Sequence, residues 1–200
     1  MIRYLLLLSV LTLILASSAQ TAVVFFDDFN PQQPGWSFIS PSSGFLGELN
    51  NTVNVSSVTL SLNSAFFDPV ATLDFDLLLF RSIDGVNCCT DTFTLTINGS
   101  TVFQGALAAG GGGTTSISIN NGASFTKIGN NYHFTVVHAL NSGPNSYTFG
   151  YSALQSLSDE AWGLDDVQIL AVPEPSTWLL LVIGVVGMLG MGRRRRRKAA

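Results

Sequence analysis

Leu73, Phe75, Leu77 and Leu79 recur at every second position of Val70–Arg81. Side chains alternate between the two faces of a strand, so a period of two puts all four on one side of a sheet. The same habit returns along the chain. Val58, Leu60 and Leu62 share it within residues 52–62, and Ile117 and Ile119 within 115–120. Residues 23–29, 92–97, 101–104, 132–140, 146–154 and 164–171 are apolar, β-branched or aromatic runs of strand length. Between them stand Gly, Asn, Asp and Ser, at the spacing of a sandwich or jelly roll. Asn98-Gly99-Ser100 separates two runs as a hairpin turn does. The phase slips between Val55 and Val58, which predicts a bulge or bend near Ser56 and Ser57. Between the two ends no segment carries a helical period, and no internal repeat is visible. The expected fold class is all-β, a jelly-roll-type β-sandwich of about nine to ten strands.

The two ends are of another kind. Arg3, the apolar residues 5–15 and the small residues Ser17, Ser18 and Ala19 have the layout of a secretory signal peptide. Signal peptidase cleavage is expected after Ala19, with Ala22 as the second site and an uncleaved anchor as the alternative. At the far end Pro173, Glu174 and Pro175 precede an apolar run, residues 178–192, and then Arg193, Arg194, Arg195, Arg196, Arg197 and Lys198. Fifteen residues of helix reach roughly 22 Å, short of a hydrocarbon core of about 30 Å. Such a transmembrane helix is a marginal permanent span. Its basic stop would stay cytoplasmic, with the body outside. The expected division is residues 1–22 signal peptide, 23–171 β-sandwich, and 172–200 sorting signal with a short transmembrane helix and basic tail.

The body is long enough to bury a core without disulfide staples. Between residues 23 and 172 the bases are Arg81 and Lys127 alone, against twelve acids, a formal charge of −10. Such a surface does not seek nucleic acid or anionic lipid. It suits divalent cations. Cys88 and Cys89 adjoin in a turn-rich segment, 84–91. Outside the cytoplasm three states are open to them: a vicinal disulfide, free thiols, or pairing between molecules.

The tail resembles the PEP-CTERM sorting signal of Gram-negative bacteria, through Val172-Pro173-Glu174-Pro175-Ser176-Thr177, the Gly- and Leu-rich helix and the arginine cluster. The resemblance implies recognition and removal by the membrane protease exosortase. It also implies transient anchoring in the inner membrane, then the cell surface or matrix of an exopolysaccharide-producing, biofilm-forming cell. Within the body, Phe25-Phe26-Asp27-Asp28-Phe29 with Pro34-Gly35-Trp36, and Trp162-Gly163-Leu164-Asp165-Asp166-Val167, look like the paired ends of carbohydrate-binding-module and MAM-like jelly rolls. The segment 91–99 looks like the hairpin of exported bacterial jelly rolls. This likeness implies adjacent first and last strands, with acids from both serving a structural cation.

The candidate site residues follow. Ca2+ takes six to eight oxygens, and a regular strand can turn only one of two successive aspartates into a shared site. The candidates are therefore Asp28 and Asp166, with Asp165 as alternate; solvated strand ends are the other reading. Trp36, Tyr132 and Tyr147 are candidates for stacking on sugars, although aromatic residues of a small sandwich commonly fill its core. Asp74 and Asp76 share a strand face at a spacing near that of glycosidase carboxylate pairs, but nothing beside them provides an apolar pocket. His133 and His138 fall on opposite faces and cannot join in one metal site. No nucleophile elbow or phosphate loop is present. The expected function is an exported, non-enzymatic surface or matrix protein that binds or is embedded in extracellular polysaccharide. A ligand-free adhesive role and a glycan hydrolase are the alternatives. Intact-mass analysis of the protein from its host is expected to show loss of residues 1–19 and of the tail beyond the Pro-Glu-Pro motif; a mass retaining both ends would refute the reading of the termini.

Overall fold

A computed structural model describes residues 21–40, 44–50, 55–64, 70–86, 90–109, 113–152 and 154–172. Residues 1–20 of the expected signal peptide, the Pro-Glu-Pro motif, the expected transmembrane helix, the basic stop and Cys88 and Cys89 lie outside the described residues, whereas Ala22, at the expected signal-peptide boundary, begins the first strand. Among the described residues no helix is long and apolar enough to cross a membrane.

The alternating runs form strands: β1 (Ala22–Asp27), β2 (Leu46–Leu49), β3 (Ser57–Ser64), β4 (Val70–Arg81), β5 (Thr92–Ile97), β6 (Ser100–Ala106), β7 (Ser116–Asn120), β8 (Ala123–Ile128), β9 (Asn131–Ala139), β10 (Gly143–Ser152) and β11 (Glu160–Val172). They build two sheets. Sheet A has the order β1-β11-β4-β9-β8, with β2 also on β11; sheet B has the order β3-β10-β5-β6-β7. The antiparallel pairs β1·β11, β3·β10, β4·β9 and β5·β6 are nested in sequence, outermost to innermost. A long antiparallel ribbon whose successive pairs fall in alternate sheets is a jelly roll, here with β2, β7 and β8 added. The first and last strands are neighbours, as the likeness implied.

Two strands were not visible in the sequence pattern. Leu46–Leu49 is four residues long and contains a glycine, too short for a period to register. Ala123–Ile128 lies at the sheet edge, where four of its six residues are exposed and the apolar alternation fades. The expected hairpin is present. Ile97 pairs with Ser100, and Asn98 and Gly99 have φ of 51° and 80°. Both central residues are left-handed, as a type I′ turn requires. The phase slip before Val58 is a bend at Ser56 that precedes β3. Gly163 serves close approach: a Cβ there would lie 2.8 Å from the Leu46 carbonyl oxygen on β2.

Residues Ala22–Ala171 form one compact unit. Its core combines Leu, Ile and Val with a cluster of aromatic rings. Phe75 stacks on its cross-strand partner Phe134 with centroids 4.9 Å apart and meets Phe149 of the opposite sheet edge-on at 5.1 Å. Phe93 lies 5.6 Å from Phe134 and 6.4 Å from Trp162. Each such pair adds about 0.5–1.5 kcal/mol beyond the area it buries. Phe75→Ala is expected to cost about 3–5 kcal/mol in urea unfolding. Ile39→Ala, at a side chain 85% exposed, should stay within about 0.5 kcal/mol of the parent.

Candidate functional site

The acidic residues of the first strand divide by face. Asp27 is buried, and its carboxylate accepts three N–H groups: Phe29 at 2.7 Å, Gln33 at 2.8 Å and the Trp36 indole at 2.8 Å. The segment it holds lies along sheet B, with Ser37 N–H donating to Thr59 O and Ser61 N–H to Gly35 O. Asp27 therefore ties β1 of one sheet to the flank of β3 in the other. Asp28 is exposed and only accepts the N–H of Asn30 at 3.1 Å.

Asp165 and Asp166 do not obey the strict alternation expected of them. Leu164 and Val167 are both buried although three positions apart, so β11 carries one extra residue between them. Asp166 takes a φ of 47° there. This is a bulge, and it frees both aspartates from the inner face. Partial burial pushes the Asp165 carboxyl up; the Asp166 N–H opposes this, and the charges of Asp166, Asp76 and Asp28 reinforce it. Asp28, Asp165 and Asp166 thus share one acidic side of sheet A. Among the described residues, however, no three His, Cys, Asp or Glu side chains converge to hold a metal ion.

Nearby, Asp76 Oδ1 accepts from His133 Nδ1 at 2.7 Å, and Asp74 accepts the Thr135 hydroxyl at 2.6 Å. Both are spoken for by cross-strand partners on a solvated face. His138 lies on the other side of β9, edge-on to Tyr147 at 5.3 Å, and burial pushes its imidazole down.

Two of the aromatic candidates for sugar stacking, Tyr132 and Tyr147, are corrected by their burial. Tyr132 is 2% and Tyr147 0% exposed. The Tyr132 hydroxyl donates to Ala108 O at 2.9 Å, and burial pushes the Tyr147 phenol far above its ordinary range. Trp36 is half-buried, packed on Phe25, Phe29 and Phe149, with its indole N–H committed to Asp27. Tyr132 and Tyr147 therefore present no ring face to a sugar, while Trp36 is packed on by three other rings.

Sheet B offers a different surface. The outward residues of β3, β5 and β10 are Ser57, Thr59, Ser61 and Asn63; Thr92, Thr94 and Thr96; and Pro144, Ser146, Thr148, Gly150 and Ser152. No charge stands among them. Thr59 and Thr148 hydroxyls bond across the strands at 2.9 Å. At one end this face opens into a cleft of about 380 Å³ lined by Ser61, Leu62, Asn63, Asn98, Pro144, Asn145 and Ser146. Asn98 is fixed by the Ser146 N–H at 2.8 Å and donates to Asn145 Oδ1 at 3.0 Å. Buried Asn145 in turn donates to Asn141 O and Gly143 O. The cleft floor is thereby rigid, while Ser61 and Asn63 stand exposed at its wall. The sequence reading missed this place because Asn98 was legible as turn chemistry and not as a side chain aimed at β10.

The family comparison matches the PEP-CTERM protein-sorting motif over residues 171–197, and the chain carries this motif for export and surface sorting. No curated protein sequence matches the chain. Among solved structures it is similar to a CBM35 domain from Cellvibrio japonicus, with 13% identity over 80% of this chain and 96% of that one, at a TM-score of 0.35. It is likewise similar to the CBM22-1 xylan-binding domain from Paenibacillus barcinonensis, with 13% identity over 78% and 99% and a TM-score of 0.34. A third likeness is to an exo-beta-1,3-galactanase from Phanerochaete chrysosporium, with 24% identity over 78% of this chain and 30% of that one, at 0.32. The jelly-roll assignment itself rests on the nested strand pairs.

A carboxyl whose folded pKa is raised contributes stability below its unfolded pKa and loses it as pH climbs through the folded value. Asp165→Asn removes the charged form and keeps an oxygen for the Asp166 N–H. It is expected to raise Tm at pH 7 by about 1–3 °C and to leave it unchanged at pH 4. A fall in Tm at pH 7 that appears only with Ca2+ present would instead identify Asp165 as a cation ligand.

Proposed function

We propose that this chain is a non-enzymatic surface or matrix protein whose body holds neutral extracellular polysaccharide on the outer face of sheet B, with the terminal cleft as its most specific subsite. The observation that carries this reading is the uncharged field of hydroxyls on β3, β5 and β10, ending in an amide-lined cleft. Sugar hydroxyls both donate and accept, and Ser, Thr and Asn match them group for group. The cleft volume lies within the ordinary range for small-molecule sites. Asp28, Asp74, Asp76, Asp165 and Asp166 stand on the outer face of the other sheet, and a neutral chain meets no charge here, whereas a polyanion meets the field of the whole body. The sorting motif supports delivery to the polymer: on this reading the apolar C-terminal run anchors the precursor in the inner membrane, exosortase removes the tail, and the body is released to the surface.

The test is retention of the protein on the host's own exopolysaccharide and on neutral and anionic glycans of known composition. Neutral polymers are expected to bind, and polyanionic ones to bind more weakly at low salt. Ser61→Ala with Asn63→Ala removes two exposed hydrogen-bonding groups worth about 1 kcal/mol each, and should weaken binding about tenfold or more. Equal binding by parent and double variant would move the site off this cleft. No binding to any glycan would leave the adhesive role without a ligand.

A further inference from the structure

Asp91 and Glu160 are both completely buried, at 0% exposure. Asp91 immediately precedes β5 of sheet B and Glu160 opens β11 of sheet A, so they meet across the sandwich. One oxygen of each carboxyl has a conventional donor. Asp84 N–H gives to Asp91 Oδ2 at 3.1 Å, and the Gln155 N–H gives to Glu160 Oε2. The second oxygens, Asp91 Oδ1 and Glu160 Oε1, are buried and have no N–H or hydroxyl donor. The two carboxyl groups are within hydrogen-bonding reach of one another.

Two ionised carboxylates in this position would be costly. Isolated buried charges are severely penalised, and like charges in contact add to the penalty. No base relieves them. Of the body's two basic residues, Arg81 is paired with Glu48 at 2.9 Å, and Lys127 donates to Ala108 O and lies over the Tyr132 ring. The titratable groups that face the pair only worsen the problem. Asp84 lies on the loop before β5, Asp159 on the turn before β11, and Tyr151 on β10. Asn50 contributes an amide, which donates to Glu160 O at 2.6 Å.

We infer that Asp91 and Glu160 share a single proton, held between Glu160 Oε1 and Asp91 Oδ1, and that this acid–carboxylate pair is a latch across the two sheets that tightens as external pH falls. One proton supplies the missing partner to both orphan oxygens at once and halves the buried charge. A cation held between them is the competing occupant. It is disfavoured because no third acidic or histidine ligand converges there among the described residues. Burial pushes both carboxyls up, as a pair that holds one proton between them requires. Raised folded values put the stabilisation below the ordinary carboxyl range, with loss as pH rises through the folded values. In alkaline surroundings the second ionisation loosens the residues before β5 and before β11. In acid the pair closes. This is independent of the glycan reading.

The experiment is the melting temperature of the full chain from pH 5 to pH 9, for the parent, E160Q and D91N. Either amide supplies a permanent N–H to the remaining carboxylate. The parent is expected to lose about 3–6 °C between pH 5 and pH 9 in excess of E160Q. The other eleven acids act equally on both proteins, so the difference isolates the pair. Infrared spectra of the parent at pH 7 should show a protonated buried carboxyl, absent from E160Q. Should E160Q fail to fold, D91N and this band decide. Parallel melting profiles and no carboxyl band would overturn the latch. So would a Ca2+-dependent rise in the parent's Tm at pH 8 that E160Q lacks, which would put a cation where the proton is assigned.

Discussion

A domain with two bases and twelve acids cannot neutralise its buried carboxylates with ion pairs. How the buried acids are satisfied follows from that shortage. Desolvating a carboxylate is tolerable when N–H groups converge on it, because hydrogen bonds to the charged form replace lost water. Asp27 is solved in this way, with three N–H donors on its two oxygens. Its donors come from the turn that follows β1 and from Trp36, so satisfying the charge also fixes the path of the chain between the sheets. Asp91 and Glu160 have one donor each, and a proton is the cheapest remaining counterpart.

The same scarcity explains how the two outer faces differ. The outer face of sheet A gathers Asp28, Asp74, Asp76, Asp165 and Asp166, relieved locally by His133 and Thr135. The outer face of sheet B at β3, β5 and β10 has only hydroxyls, amides, a proline and a glycine. Like charges placed opposite each other destabilise a sheet, whereas Thr and Ser pairs support it. A chain this acidic can make one face quiet only by concentrating its acids elsewhere. The quiet face is where a neutral polymer can lie without being pushed off.

Much of this was legible in the strand period. Leu73, Phe75, Leu77 and Leu79 are all buried, and the Asn98-Gly99 turn joins β5 to β6 as its chemistry requires. The nearness of the first and last strands came from the family likeness, and pairing of Asp27 with Val167 bears it out. Parity also contained more than the residue types suggested. Tyr147 is in phase with Phe149 and Tyr151, and Tyr132 with Phe134 and Val136, so their side chains had to point inward. What a period cannot give is the bulge in β11, which depends on one left-handed residue, or a strand of four residues. The cleft was also out of reach, since it arises where a turn, a strand end and an edge meet without being near in sequence.

Parity places the two buried acids as well. Asp91 precedes Phe93, Leu95 and Ile97 in the inward phase, and Glu160 precedes Trp162 and Leu164. An inward acid at a strand end is a poor choice for stability alone, since an apolar residue of similar size would suffer no desolvation. Apolar contacts between two sheets are non-directional and tolerate sliding. A hydrogen-bonded pair does not, because its energy collapses when donor and acceptor move apart. With Asp27 and Trp36 at one junction of the sheets and Asp91 and Glu160 at another, two polar ties fix the sliding coordinate that an apolar core leaves soft. On this argument the ends of the sandwich, not its centre, set the relation of one sheet to the other.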